Sequence, residues 1–243
     1  MPEAMTETSF QRARKPQERS IRREAILAAA AELFDAEGTM GAGLNAIAAR
    51  AGFTKSNVYR YFESREEVLL SLFVTEIGAF RTGLVTALAG CGEGDVEALA
   101  AAAAAAFVTR PRFCQLLSIL SVILEQNVSE ATVLAVKRAT LDDIAAVAAA
   151  LHRKLPGTTL EDCGWVASMA GTLVAGMWPG AHPAPAAASV LSRPEYAGLK
   201  PDLDRDLPRA IAALVRDVAR QAGALHTGPS VPQTCAGRRT GGA

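Results

Sequence analysis

The sequence predicts an all-α protein, and three observations carry that reading. Alanine recurs along the whole chain while aromatic residues make up only 5% of it, a composition that favours helix over sheet. Apolar residues return at the three- and four-residue spacing of a helix face in segment after segment, and no stretch alternates at period two for long enough to be a strand. Glycine, proline and capping residues cut the chain into about nine to ten such segments.

Taken in order, Met1 to Lys15 reads as a disordered polar arm carrying Arg12, Arg14 and Lys15. Pro16 suits a first helical turn, and Ile26, Ala30, Leu33 and Phe34 share one face of the helix that it opens. Gly38 ends that helix as a left-handed cap would. Leu44 to Ala51 forms a short helix with Leu44, Ile47, Ala48 and Ala51 on one side, and Gly52 breaks it. Thr54 caps a second short helix that runs to about Phe62. Ser64 and Glu67 make a capping box, opening a long helix from Arg65 to about Ala89. Beyond the Cys91–Gly94 connector, helices are predicted over 95–109, 112–127, 130–154 and 160–178, with boundaries at Pro111, Ser129 and Pro156-Gly157. Trp178 to Pro185 is a proline-rich break. Helices over 186–192 and 203–223 follow, and the Gly/Pro/Thr-rich residues 223–243 read as a disordered tail.

The formal net charge is zero, but it is unevenly spread. Residues 11–65 hold ten Lys/Arg against six Asp/Glu, and residues 66–243 hold fifteen against seventeen. A basic front fits a segment that meets an anion. The longest uninterrupted apolar run, Ala98 to Val108, is shorter than the roughly 20 residues that span a bilayer. The first fifteen residues lack the apolar stretch of a secretory signal, so a cytoplasmic protein is expected. Cys91, Cys114, Cys163 and Cys235 form no CxxC pair and are expected as free thiols. A Gly-rich phosphate loop, G-x-S-x-G and HExxH are all missing from the sequence, which predicts neither an enzyme nor a cofactor or metal.

The chemistry is concentrated in residues 38–65. Two short amphipathic helices joined by a glycine-containing turn are the sequence form of a helix-turn-helix. In that motif the second helix needs one apolar side for the core and one polar side for the major groove. Val58 and Phe62, four residues apart, suit the inner side, leaving Lys55, Ser56, Asn57, Tyr59 and Arg60 outside. The run Ile47-Ala48-Ala49-Arg50-Ala51-Gly52-Phe53-Thr54-Lys55-Ser56-Asn57-Val58-Tyr59-Arg60-Tyr61-Phe62-Glu63-Ser64-Arg65-Glu66-Glu67-Val68-Leu69 resembles the DNA-binding signature of TetR-type transcriptional regulators. The preceding Ala31-Glu32-Leu33-Phe34 and Gly38 belong to the same signature. The resemblance spans about residues 20–70. Gly43 stands where the family usually has a Ser or Thr cap, and Arg65 where lysine is common.

The resemblance implies a helix-turn-helix domain over residues 16–64 and a larger helical effector-binding and dimerisation domain over 65–222. It also implies a homodimer, a palindromic double-stranded DNA operator, and release by a small-molecule effector, with repression as the default. Position by position, Lys55, Ser56 and Asn57 would face base edges, while Thr54, Tyr59, Tyr61 and Arg65 would contact phosphates. Arg60 lies on the same outer side, and the arm at Arg12, Arg14 and Lys15 would follow the backbone or enter a minor groove. By the same analogy 160–178 and 203–223 are the dimer candidates. Val166, Met169, Ala170, Leu173, Val174 and Met177 would make one stripe, and Leu207, Ile211, Leu214, Val215 and Val218 the other. Candidate pocket residues are Phe113, Cys114, Leu117, Leu120, Ile123, Leu124, Trp165, Met169 and Trp178, with Glu125, Gln126, Asn127 and His182 as polar contacts. Two other readings are kept: a helical small-molecule carrier without DNA binding, and a thiol redox sensor at Cys114 and Cys163.

Overall fold

The computed structural model describes the backbone of residues 6–226 and the side chains of residues 17–223. The side chains of Arg12, Arg14 and Lys15, and the tail beyond His226, lie outside the described residues. Ten α-helices follow one another, with no strand among the described residues. α1 (Thr6–Gly41) starts ahead of the expected Pro16, in a stretch rich in good helix formers. It kinks at Gly38, whose φ of 64° with ψ of −154° is open to glycine and strongly disfavoured for a residue with a β-carbon.

α2 (Leu44–Arg50) begins at Gly43, which provides no side-chain cap. Gly52, at φ 72°, turns the chain into α3 (Lys55–Val58), which Thr54 caps by accepting from the Asn57 amide at 3.3 Å. Beyond Val58 the chain continues in tight turns rather than regular helix, closed by Phe62 N–H donating to the Val58 carbonyl. Ile26, Ala30, Phe34, Ile47, Val58 and Phe62 are all buried and form the core of this small domain, continuous with that of the body.

α4 (Arg65–Ala89) is the shared strut. Ser64 caps it by accepting from Glu67 N–H at 3.1 Å, while the Glu67 carboxylate accepts from Glu63 N–H, one residue before the expected partner. α4 is long and apolar enough to cross a membrane, but Val68, Leu69, Leu72, Phe73, Ile77, Phe80 and Leu84 are buried on it as in a core helix. Around α4 pack α5 (Val96–Val108), α6 (Pro111–Ile119) and α7 (Glu130–His152). A π-helical turn, Leu120–Leu124, leads out of α6. α8 (Leu160–Ala181) packs on α6 and α7, and α10 (Leu203–His226) lies across α5 and α8. α9 (Pro185–Leu191) buries no side chain.

Local caps set several boundaries: Asp95 for α5, Ser129 for α7 and a reciprocal Thr159–Asp162 box for α8. α8 runs three residues past its expected end at Trp178, through Pro179. In a last turn the lost proline N–H breaks only one ladder bond, and His182 N–H still donates to the Trp178 carbonyl at 3.0 Å.

The fold corrects one expectation about association. Val166, Ala170 and Val174 on α8, and Leu207, Ile211, Val215 and Val218 on α10, are buried inside the single chain. These stripes serve the intramolecular core because α10 needs an apolar seat on α5 and α8. Met169, Leu173, Met177 and Leu214 are only half-buried, and Trp165 projects outward.

Candidate nucleic-acid interface and effector cavity

Val58 and Phe62 point into the core at 0% and 1% exposure, which fixes the roll of α3. Thr54, Lys55, Ser56 and Arg60 are therefore exposed, and Asn57 is half-buried. The side chains of Asn57, Lys55 and Arg60 make no hydrogen bond or ion pair within the described residues. Lys55 Nζ lies 5.7 Å from the Tyr59 ring centroid, a cation–π approach that keeps the ammonium beside the outer face. Tyr59 is half exposed; Tyr61 packs against the core with the Arg19 guanidinium 5.9 Å over its ring.

Arg65 is turned inward. Its guanidinium donates to Glu66 at 2.8 and 3.1 Å and reaches the Thr39 carbonyl at 3.5 Å. Arg19 and Arg22 on α1 are exposed next to Arg23, which donates to Ser71 Oγ at 2.9 Å and lies over the Phe62 ring. Sequence reasoning passed over this basic flank, although Arg19, Arg22 and Arg23 sit at helical three- and four-residue spacing.

The body holds a cavity of about 370 Å³ between α4, α5, α6, α7, α8 and α10, within the roughly 300–1,000 Å³ typical of small-molecule sites. Phe113, Leu117 and Leu120 line it as expected. Cys114 and Leu124 are buried but outside the lining, because the α6 face that presents Phe113 and Leu117 turns the Cys114 thiol toward the Phe107 carbonyl at 3.3 Å. Trp165 and Met169 are also outside the lining, since Val166 and Ala170 take the inward phase of α8. Trp178 stacks on His182 at 4.0 Å and both border a separate cleft near α10.

Of the polar candidates, Glu125 pairs with Lys137 at 2.6 Å and Gln126 donates to the Val122 carbonyl, while Asn127 borders a cleft with Glu63 and Ser64. Ile123 is partly exposed outside the cavity. The residues sequence reasoning missed are Phe73, Phe80 and Phe107, whose rings cluster with Phe113, and the pair Arg81 and Asp143. The available signal was an acid, Asp143, placed among Ile144, Val147 and Ala148 on the buried side of α7.

Arg112 joins the two domains. It donates to Asp35 of α1 at 2.8 Å and to Glu76 of α4 at 2.8 Å. The Asp35 hydrogen bond leads the causes that raise its pKa above the ordinary guanidinium value. Its neighbour Phe113 lines the cavity.

Neither Cys114 nor Cys163 is activated. Burial pushes the Cys114 thiol up to about 12 and also raises Cys163, whereas a reactive cysteine needs a stabilised thiolate. Alkylation of native protein at neutral pH is therefore expected to be slow at both positions, and rapid labelling of either would revive the redox-sensor reading.

Residues 26–72 match the family model described as bacterial regulatory proteins, tetR family, and residues 74–219 match that of the tetracyclin repressor-like C-terminal domain. The chain belongs to the TetR family. No curated protein matches it. Among solved structures it is similar to a transcriptional regulator from Rhodococcus sp. Rha1, at 19% identity and a TM-score of 0.53, covering 82% of this chain and 96% of the other. The fatty acid degradation regulator FadR from Bacillus halodurans gives 20% identity and a TM-score of 0.51, over 79% of this chain and 96% of that one. SmeT of Stenotrophomonas maltophilia in complex with triclosan gives 22% and 0.50, over 91% and 100%. These likenesses establish the TetR fold. Within it, the N-terminal family model covers part of α1, all of α2 and α3 and the start of α4, and the C-terminal model runs from within α4 into α10.

Proposed function

We propose that this TetR-family regulator is a cytoplasmic homodimeric repressor that binds a palindromic operator and releases it when a small molecule enters the α4–α8 cavity. The observation that carries the reading is the roll of α3, with Val58 and Phe62 buried and Thr54, Lys55, Ser56 and Asn57 facing outward. Lys55 reading guanine and Asn57 reading adenine follow from the donor and acceptor patterns of the major groove.

Thr54, Tyr59, Tyr61 and Arg60 would flank them on phosphates, with the Arg19–Arg22 face extending the basic track. Helix α3 reads only a few base pairs, so two copies about one helical turn apart are needed for specificity. The dimer would use the outer side of α8, where Trp165, Met169 and Gly176 remain at least partly exposed, together with the outer side of α10. The likeness to SmeT in its complex with triclosan supports a small-molecule effector. Selection of bound duplexes from a random pool is expected to return a palindrome; no enrichment, or enrichment of a single half-site, would overturn the reading.

Arg65 needs a rotation away from Glu66 to reach a phosphate. Arg65→Ala is expected to weaken binding about equally on operator and random DNA and to lower the salt slope by about one. An unchanged slope would mean that Arg65 stays paired within the protein.

Effector and DNA must weaken each other's binding by the same factor. The Arg112 clamp offers the path, because movement of Phe113 against a bound ligand shifts the side chain that ties α1 to α4. Arg112→Met is expected to reduce the factor by which any bound ligand weakens DNA binding, measured by anisotropy titration. An intact factor would place the coupling elsewhere.

A further inference from the structure

The cavity wall is mostly apolar, and its polar side chains are Arg81, Asp143, Ser121, Thr140, Ser168 and Thr172. Asp143 is 6% exposed and lines the cavity from α7. Its Oδ1 lies 2.6 Å from the Arg81 guanidinium, yet the approach falls outside hydrogen-bond geometry and no other donor reaches that oxygen. Burial pushes its carboxyl above the ordinary aspartate range, against the pull of Arg81. A carboxylate has room for about four hydrogen bonds, and buried polar groups are nearly always satisfied. Asp143 Oδ1, paired with Arg81 by charge, therefore has room for a further donor.

The rest of the wall supplies none from its threonines. The Thr140 hydroxyl donates to the Val136 carbonyl at 2.9 Å and the Thr172 hydroxyl to the Ser168 carbonyl at 3.0 Å, which leaves both with lone pairs only. Phe80 presents its ring beside those of Phe107 and Phe113, at centroid separations of 4.4 and 4.7 Å. The cavity is thus an aromatic box in which Ser121 and Ser168 also stand on the wall and the buried Asp143 Oδ1 still lacks a hydrogen-bond donor.

Charge narrows the choice. Arg81 and Asp143 already cancel. An anion would draw Arg81 away and leave a buried carboxylate without its counter-ion, the costly way to break such a pair. A cation would need full desolvation and would have to displace Arg81 to find its own partner. A neutral donor satisfies Asp143 and leaves the ion pair standing.

We propose that the effector is an uncharged aromatic molecule carrying a hydroxyl that donates to Asp143, with its ring system seated against Phe80, Phe107 and Phe113. This rests on the reading of the cavity as the effector site.

The test is calorimetric titration of the full-length protein with four matched probes: 4-phenylphenol, biphenyl, biphenyl-4-carboxylate and 4-phenylbenzylamine. The phenol is expected to bind about tenfold to a hundredfold more tightly than biphenyl, the range for a hydrogen bond to a charged acceptor. Asp143→Leu should bring that ratio close to one while biphenyl still binds. Asp143→Asn, which keeps an acceptor without the charge, should give an intermediate ratio and guards against misfolding of the leucine variant. Tightest binding by the carboxylate or the amine, a ratio that survives Asp143→Leu, or no binding by any probe would each overturn the proposal. DNA binding by the unliganded protein is measured separately on a pool-selected duplex. Its failure would reject the regulator reading, whereas intact DNA binding without the phenol preference would reject the ligand class alone.

Discussion

Phe34→Ala is expected to destabilise the protein by about 3–5 kcal/mol, the range for truncating a fully buried phenylalanine. Phe34 is 0% exposed and belongs to the cluster that joins α1 to α2, α3 and α4. The small domain has few large side chains to fill the space left behind. Its other large buried residues, Ile26, Ile47 and Phe62, already sit at 0–1% exposure, the first two fixed by their helices and Phe62 by the turns that follow α3. The void would persist rather than collapse. Urea unfolding should show a lower midpoint at unchanged slope, and DNA binding should fall because α3 loses the floor that sets its roll. A loss below about 1 kcal/mol would contradict the central packing of Phe34.

Asn57→Ala is expected to relax preference at one base position, by about 1–3 kcal/mol if its contact is bidentate. The side chain sits in the first turn of α3, half-buried, and makes no hydrogen bond within the protein. Its loss therefore removes little from the fold. The Thr54 cap survives, because it is the Asn57 backbone amide that donates to it. Binding to operator should weaken while binding to random DNA stays nearly constant. Equal losses on both would assign Asn57 to the backbone or to stability instead of base reading.

The fold was legible to a degree that follows from the kind of signal each part uses. Caps act across three or four residues. Ser64 with Glu67, Thr54 with Asn57 and Ser129 with Thr132 could therefore be anticipated or closely bracketed from the letters alone. The glycines at positive φ, Gly38 and Gly52, mark ends that no β-carbon would favour. The turn-bounded Val58 and Phe62 pair likewise fixed which side of α3 is free. The cavity was legible only in part. Phe113, Leu117 and Leu120 share one helix face and were found; Cys114, Leu124, Trp165, Met169 and Trp178 were apolar and nearby in sequence but point elsewhere. Apolar character says that a residue is buried, and only the neighbouring helix says against what.

The sequence by itself determined most of the caps, the helix-turn-helix and the outward residues of α3, because each depends on period and on hydrogen bonds between residues a few positions apart, while the start of α1 and the ends of α3, α6 and α8 fell elsewhere than expected. Tertiary structure decided what the long apolar stripes cover, turning α8 and α10 inward on the chain's own core. It also brought Arg112 to Asp35 across 77 positions and Arg81 to Asp143. Pairings of that range depend on how α1, α4, α6 and α7 pack in space, and no local pattern of residues encodes the distance between two helices.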